Sequence, residues 1–259
     1  MNFDAFFILK SILHNNYCGG GILKKHRLSV IIIAFLFLFI ITALILYTSF
    51  CNRKTVLASA NVPKFDTVIL DAGHGGADGG AVAPDGTLEK HINLRITLKT
   101  KALLELNGYN VILTRNSDES IHDEQAETLR QKKVSDIRNR KKVIDSHPDA
   151  IFVSIHQNKF YESSVHGAQV FYSKNNALSS FLAQSISESI VAEIQSDNPR
   201  QIKKSGTEIY LLYNSKIPSV MVECGFLSNN DDLNKLKNES FQKKLALAIT
   251  QGIVNYSKG

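Results

Sequence analysis

The chain has 259 residues, 44% of them hydrophobic, enough to bury one good core with a terminal appendage to spare. Of its 30 basic and 24 acidic residues, six basic and one acidic lie in residues 1–60. The net charge of +6 therefore reports the N-terminus, and the remainder, at 24 against 23, carries no overall nucleic-acid footprint. Three cysteines (Cys18, Cys51, Cys224), far apart and odd in number, match no metal or redox spacing and argue against a disulfide framework.

In chain order, the first feature is the run 28–50, LSVIIIAFLFLFIITALILYTSF, with no charge in 23 residues. At about 1.5 Å per residue, a helix of that length covers the roughly 30 Å of bilayer hydrocarbon. Lys24, Lys25 and Arg27 stand immediately before it, so residues 1–27 are expected on the cytoplasmic side and everything after Phe50 outside. The run is longer than the usual ~7–15-residue core of a cleaved signal. An Ala58-Ser59-Ala60 cleavage site lies ten residues beyond it, so an uncleaved membrane anchor is the expected reading, with secretion after cleavage as the alternative. Bulky Phe50 before Cys51 argues against a lipoprotein site there.

A polar linker, 51–65, leads into a region of alternating strand and helix patterns, 66–257, which reads as one catalytic domain. Thr67–Asp71, Asn110–Thr114 and Ile151–Ile155 are short β-branched runs that predict strands, and Ala168–Tyr172, Thr207–Leu212 and Ser219–Val222 read the same way. Cys224, just beyond the last of them, reads as a small buried strand residue. Helical spacing covers His91–Leu106, which ends at a capping Asn107-Gly108 pair, and Leu178–Ile194 with one apolar face. Ile137–Ser146 is basic and mostly polar, a solvated helix face by its pattern. The closing helix carries the cleanest stripe, Phe241, Leu245, Ala248, Ile249, Gly252, Ile253 and Tyr256. The expectation is an α/β fold with a mostly parallel sheet flanked by helices.

Three of these strands lead into ionisable residues: VILDAGH at His74, IFVSIH at His156 and SVMVE at Glu223. The carboxyl ends of parallel strands share one edge, where ligands bind. Glu89 follows a Gly-rich loop, GGADGGAVAPDGTL, long enough to fold back over that edge. Two imidazoles and a carboxylate make a catalytic zinc shell with a fourth position open. Zinc lowers the pKa of water toward ~7, and a further carboxylate can carry its proton to a leaving nitrogen. Taken singly, each residue has a duller reading: a loop histidine at 74, a helix-start acid at 89, a satisfied core histidine at 156, a strand-end carboxylate at 223. His166, beside Gly167, is a weaker candidate for substrate contact.

The blocks DAGHGGADGGAV, LEKHINL, VILTR, FVSIHQN and VECGFLSN, in this order from about Val68 to Tyr256, resemble the zinc-dependent N-acetylmuramoyl-L-alanine amidases of the amidase-3 type. That resemblance implies a phosphorylase/hydrolase-like fold, Zn2+ on His74, Glu89 and His156, and Glu223 as general acid/base. It implies cleavage between the lactyl group of muramic acid and L-alanine in peptidoglycan. A single short domain behind an N-terminal apolar segment, with GAQVFYS and EIYLLYNSKIP, is similar to the germination-specific amidases of spore-formers. That narrower likeness implies a role in cortex maturation toward muramic-δ-lactam. The sequence departs from the family at Gln157, where Ala is usual, and at Asp145, where Asn is common.

Two rival readings stay open at this level. A zinc carboxypeptidase would want an arginine to grip a terminal carboxylate, and Arg115 and Arg140 are on offer. A non-catalytic wall-binding module would predict a missing ligand or a missing glutamate, and all four residues are present. The local run Arg138, Arg140, Lys141, Lys142 reads as a solvated face, with contact to acidic stem peptides as the sharper possibility. The expected partners are peptidoglycan strands and stem peptides, the membrane through 28–50, and a protein activator.

Overall fold

Alternation of β-branched runs with amphipathic segments builds a single six-stranded sheet with helices on both faces. The computed structural model describes residues 32, 33, 35–44 and 65–258. The chain divides into two units, Met1–Ser59 and Ala60–Gly259.

In the first unit, residues 32, 33 and 35–44 are helical, and Phe35, Phe37, Leu38 and Phe39 are exposed. No helix among the described residues is long and apolar enough to cross a membrane. The rest of the 28–50 run, residues 1–27 and most of the 51–65 linker, with Cys18 and Cys51, lie outside the described residues.

In the second unit the elements are β1 (Thr67–Ala72), α1 (Glu89–Leu106), β2 (Asn110–Leu113), α2 (Leu129–Asp145), β3 (Ile151–Asn158) and β4 (Gln169–Tyr172). They are followed by α3 (Leu178–Ile194), β5 (Lys203–Lys204), α4 (Tyr210–Asn214), β6 (Ser219–Phe226), α5 (Asn230–Lys237) and α6 (Glu239–Lys258). The sheet order is β2-β1-β3-β6-β4-β5. β2, β1, β3 and β6 run parallel, while β4 pairs antiparallel with β6.

Strand alternation divides the core in two. Val68, Leu70, Val153, Ile155, Val220 and Val222 face a cluster shared with Ile96, Ile186 and Ile249, from α1, α3 and α6. Ile69, Phe152 and Met221 face the opposite side, with Ile144 of α2 and Leu211 and Leu212 of α4. Buried on both faces, the central strands read as continuous apolar runs rather than alternating ones. Cys224 is buried, as expected. α3 and α6 touch closely at Gly252, where a Cβ would stand 2.4 Å from the Ile186 Cα.

Three expectations are corrected. Thr207–Leu212 is not a strand: its second half starts α4, which buries Leu211 and Leu212 beneath the sheet. A short apolar run does not distinguish strand from helix by period, and this one resolves on packing. α2 starts at Leu129, well before Ile137, with Thr128 and Gln131 forming a reciprocal capping box. Its basic face is not wholly solvated, because Arg140 is buried.

Candidate metal centre and active site

β1 leaves the sheet at Ala72, and two residues on His74 takes a left-handed backbone, φ 63°, the only non-glycine among the described residues to do so. Such a conformation costs about 1–3 kcal/mol and persists only where the surroundings impose it. The turn delivers the imidazole to the carboxyl edge. Its Nδ1 lies 2.8 Å from Asp78 Oδ2 and its Nε2 3.2 Å from Glu89 Oε2. β3 delivers His156, whose Nδ1 lies 2.9 Å from Glu89 Oε1. The two imidazoles meet edge to face, 5.0 Å between centroids. Ligand atoms of His74, Glu89 and His156 all lie within 4.8 Å of one another, a group that can hold a metal ion.

Glu89 is the first residue of α1, a helix that opens without a side-chain cap. Its carboxylate turns into the site instead, accepting from the backbone N–H of Ala81 (2.8 Å) and Gln157 (3.0 Å) and from Asn93 Nδ2 (3.1 Å). Burial would raise its pKa, but hydrogen bonds and charge from His156 and His74 hold it well below the usual carboxylate range. Burial likewise opposes a charged His74, yet Asp78 and Glu89 outweigh it and raise the imidazole to about 9. The centre is thus a buried carboxylate pressed between two imidazoles, an arrangement that favours a positive charge beside it. Neutral imidazoles and a carboxylate suit zinc, so the donor set fits that metal.

The packing leaves no slack. A Cβ on Gly73 would stand 2.1 Å from His156 Nε2, and one on Gly80 2.6 Å from Glu89 Oε2.

Glu223 is paired with His156 in the β3–β6 register, so the two side chains rise from the same face of the sheet. Its Oε2 is buried with no hydrogen-bond partner among the described residues. Burial, supported by the charge of Glu89 and opposed by both histidines, raises its pKa to about 7. A carboxyl with no partner on its buried oxygen and a pKa raised toward neutrality has the properties that proton transfer asks for. Both stand over a cleft of about 440 Å3, walled by Lys133, Asp136 and Ile137 of α2 and by Glu208, Ile209 and Tyr210 around the start of α4.

All four residues singled out in the sequence therefore converge. His166 does not join them: it is exposed, with Nδ1 on Ser164 O. Asp78, which the sequence reading passed over, orients His74, and Lys133 braces it at 2.8 Å. Its signal was an acid four residues past the first histidine, in the same Gly-rich loop. Below the centre, Asp71 accepts from Ser154 Oγ (2.5 Å), Thr114 Oγ1 (2.7 Å) and Arg140 Nη1 (2.5 Å). Gln157 puts its side-chain amide on Asn93 Oδ1 at 3.1 Å, so this departure from the family adds support beneath Glu89. Asp145 closes α2 at the surface, paired with Lys141. Arg115 and Arg140 are buried, with Nε, Nη1 and Nη2 of both engaged within the protein, so neither is free to grip a terminal carboxylate.

Histidine, glutamate and histidine converging at the carboxyl edge of the parallel strands, with a second, half-buried carboxyl beside them, are a donor set of the kind that metal-dependent hydrolases use. Residues 68–255 match the N-acetylmuramoyl-L-alanine amidase family, and the chain belongs to it. It is an enzyme, a peptidoglycan amidase. It is 33% identical over 189 residues to the germination-specific N-acetylmuramoyl-L-alanine amidase of Bacillus subtilis (strain 168), covering 73% of this chain and 78% of that protein. The solved structure of the CwlD amidase from Clostridioides difficile in complex with the GerS lipoprotein is similar at 46% identity and TM-score 0.71, over 74% of this chain and 98% of that one. The N-acetylmuramoyl-L-alanine amidase AmiC2 of Nostoc punctiforme is similar at 29% identity and TM-score 0.64, over 74% and 97%.

Proposed function

We propose that this amidase is zinc-dependent, with His74, Glu89 and His156 holding the metal and Glu223 serving as general acid/base in cleavage of the bond between muramic acid and L-alanine. The observation that carries this reading is half-buried Glu223, its Oε2 buried and unpartnered among the described residues, in register with His156 beside a donor set that suits zinc. When bound, zinc supplies the Lewis acidity that polarises the amide carbonyl and acidifies water. Asp78 fixes the His74 ring through Nδ1 and leaves Nε2 turned toward Glu89. Glu223, with its pKa near 7, takes a proton from water and returns it to the leaving nitrogen of L-alanine. The cleft between α2 and α4 receives the stem peptide.

The biological setting we propose is the spore cortex, where removal of stem peptides precedes muramic-δ-lactam formation. The germination-specific relative supports it. A protein partner belongs to the same proposal, since the CwlD relative is solved in complex with a lipoprotein. Residues 28–50 are proposed to anchor the enzyme with its catalytic domain outside the membrane, supported by the uncharged 23-residue run and the exposed apolar helix at 35–44. The test supplies the wild type or Glu223→Gln to a spore-forming strain that lacks its own germination-specific amidase, the wild type being expected to restore muramic-δ-lactam. For the variant, cortex lacking muramic-δ-lactam is the expected result, and cortex of normal lactam content would overturn the assignment.

A further inference from the structure

Three consecutive carbonyls mark the point where the chain leaves β1 for the metal-type centre, and two buried guanidiniums hold all three. The Ala72 carbonyl accepts from Arg115 Nε and from Arg140 Nη1, both at 2.8 Å. The Gly73 carbonyl accepts from Arg115 Nη2 at 3.1 Å and from Asn93 Nδ2 at 3.0 Å. The His74 carbonyl accepts from Arg140 Nη2 at 2.7 Å. Arg140 is itself fixed, with Nη1 on Asp71 Oδ1 at 2.5 Å and Nε on Asp136 Oδ2 at 2.7 Å. Arg115 is fixed through Ser117 O at 2.8 Å and Lys90 O at 2.9 Å.

These carbonyls end at the left-handed residue His74, whose strained backbone needs an external constraint. A planar fork of five donors can span several acceptors at fixed angles, which the single ammonium of lysine cannot. We infer that Arg140, assisted by Arg115, is a positioning residue that locks the Ala72–His74 backbone and so aims the His74 imidazole at Glu89 and His156. This rests on the reading that those three residues hold the metal. It gives the two arginines a role in metal geometry and none in substrate capture.

The test uses the full-length chain loaded with cobalt(II), whose visible absorption bands report ligand geometry, with affinity measured by chelator competition. Arg140→Lys keeps a positive charge beside Asp71 and removes the fork. It should bind cobalt about 10–100-fold more weakly, as losses of such outer-shell partners do, with shifted bands. Arg138→Lys, at an exposed position on the same helix, should match the wild type in both. If Arg140→Lys does not fold, Arg115→Lys carries the test, because Arg115 forms no ion pair among the described residues and its loss strands no carboxylate. Wild-type affinity and spectrum in a folded variant would overturn the clamp. A wild-type chain that binds no cobalt would overturn the metal reading beneath it.

Discussion

Asp71→Asn tests the polar layer beneath the centre. Asp71 is 1% exposed and faces Arg140, Thr114 and Ser154. Burial pushes its carboxyl up, but the guanidinium of Arg140, His156 and the two hydroxyls outweigh it and bring the pKa from 3.8 to about 2. A folded-state pKa below the unfolded one contributes stability that is complete above about pH 4 and is lost as pH falls through about 2. The shift corresponds to about 2 kcal/mol at neutral pH, with about half of it gone by pH 3. Asparagine keeps the volume but strands Arg140 with Asp136 alone. Breaking a buried pair costs about 3–5 kcal/mol, and the remaining partner places this case near 3 kcal/mol. Urea unfolding of both proteins with chelator present should show that gap at pH 6 and a gap smaller by about 1 kcal/mol at pH 3. A gap that stays constant from pH 6 to 3 would refute the assigned pKa and its cause.

Three further outcomes are expected. Asp78→Asn removes the carboxylate that holds His74 Nδ1 and should weaken metal binding about 10–100-fold in a chelator titration, whereas unchanged affinity would show that the ring is oriented without it. Gly73→Ala places a Cβ 2.1 Å from His156 Nε2, so the ring must move. Turnover should fall on the order of 10²-fold in a chain that still folds by circular dichroism, and wild-type turnover would mean the loop yields freely. Gly252→Ala meets backbone of α3, 2.4 Å from Ile186 Cα, and should cost about 1–3 kcal/mol in urea unfolding with kcat unchanged; stability within error of wild type would contradict that packing.

The convergence of His74, Glu89, His156 and Glu223 was legible because each follows or lies on a strand or helix whose pattern is strong, and parallel strands bring their carboxyl ends to one edge whatever the details. What the sequence hid were contacts set by register and by side-chain reach. Arg140 sits in a basic helical run and gives no local sign of burial, while its partner Asp71 lies far back in the chain, in the first strand pattern. A buried acid inside TVILDA was a signal that some cation must reach it, though not which. The strand at Gln169–Tyr172 was expected, but its antiparallel direction was not, because direction follows from the connection and not from composition. Thr207–Leu212 went wrong because β-branched and aromatic residues there serve a short helix that packs under the sheet.

The most direct test measures zinc content and muropeptide products side by side, on the full-length wild type, His74→Ala and Glu223→Gln. The expected result is about one zinc per wild-type chain and release of intact stem peptides. His74→Ala should lose both metal and activity, and Glu223→Gln should keep its zinc while turnover drops by on the order of 10²–10⁴-fold. Release of single terminal residues in place of whole stems, or wild-type turnover in Glu223→Gln, would contradict the account.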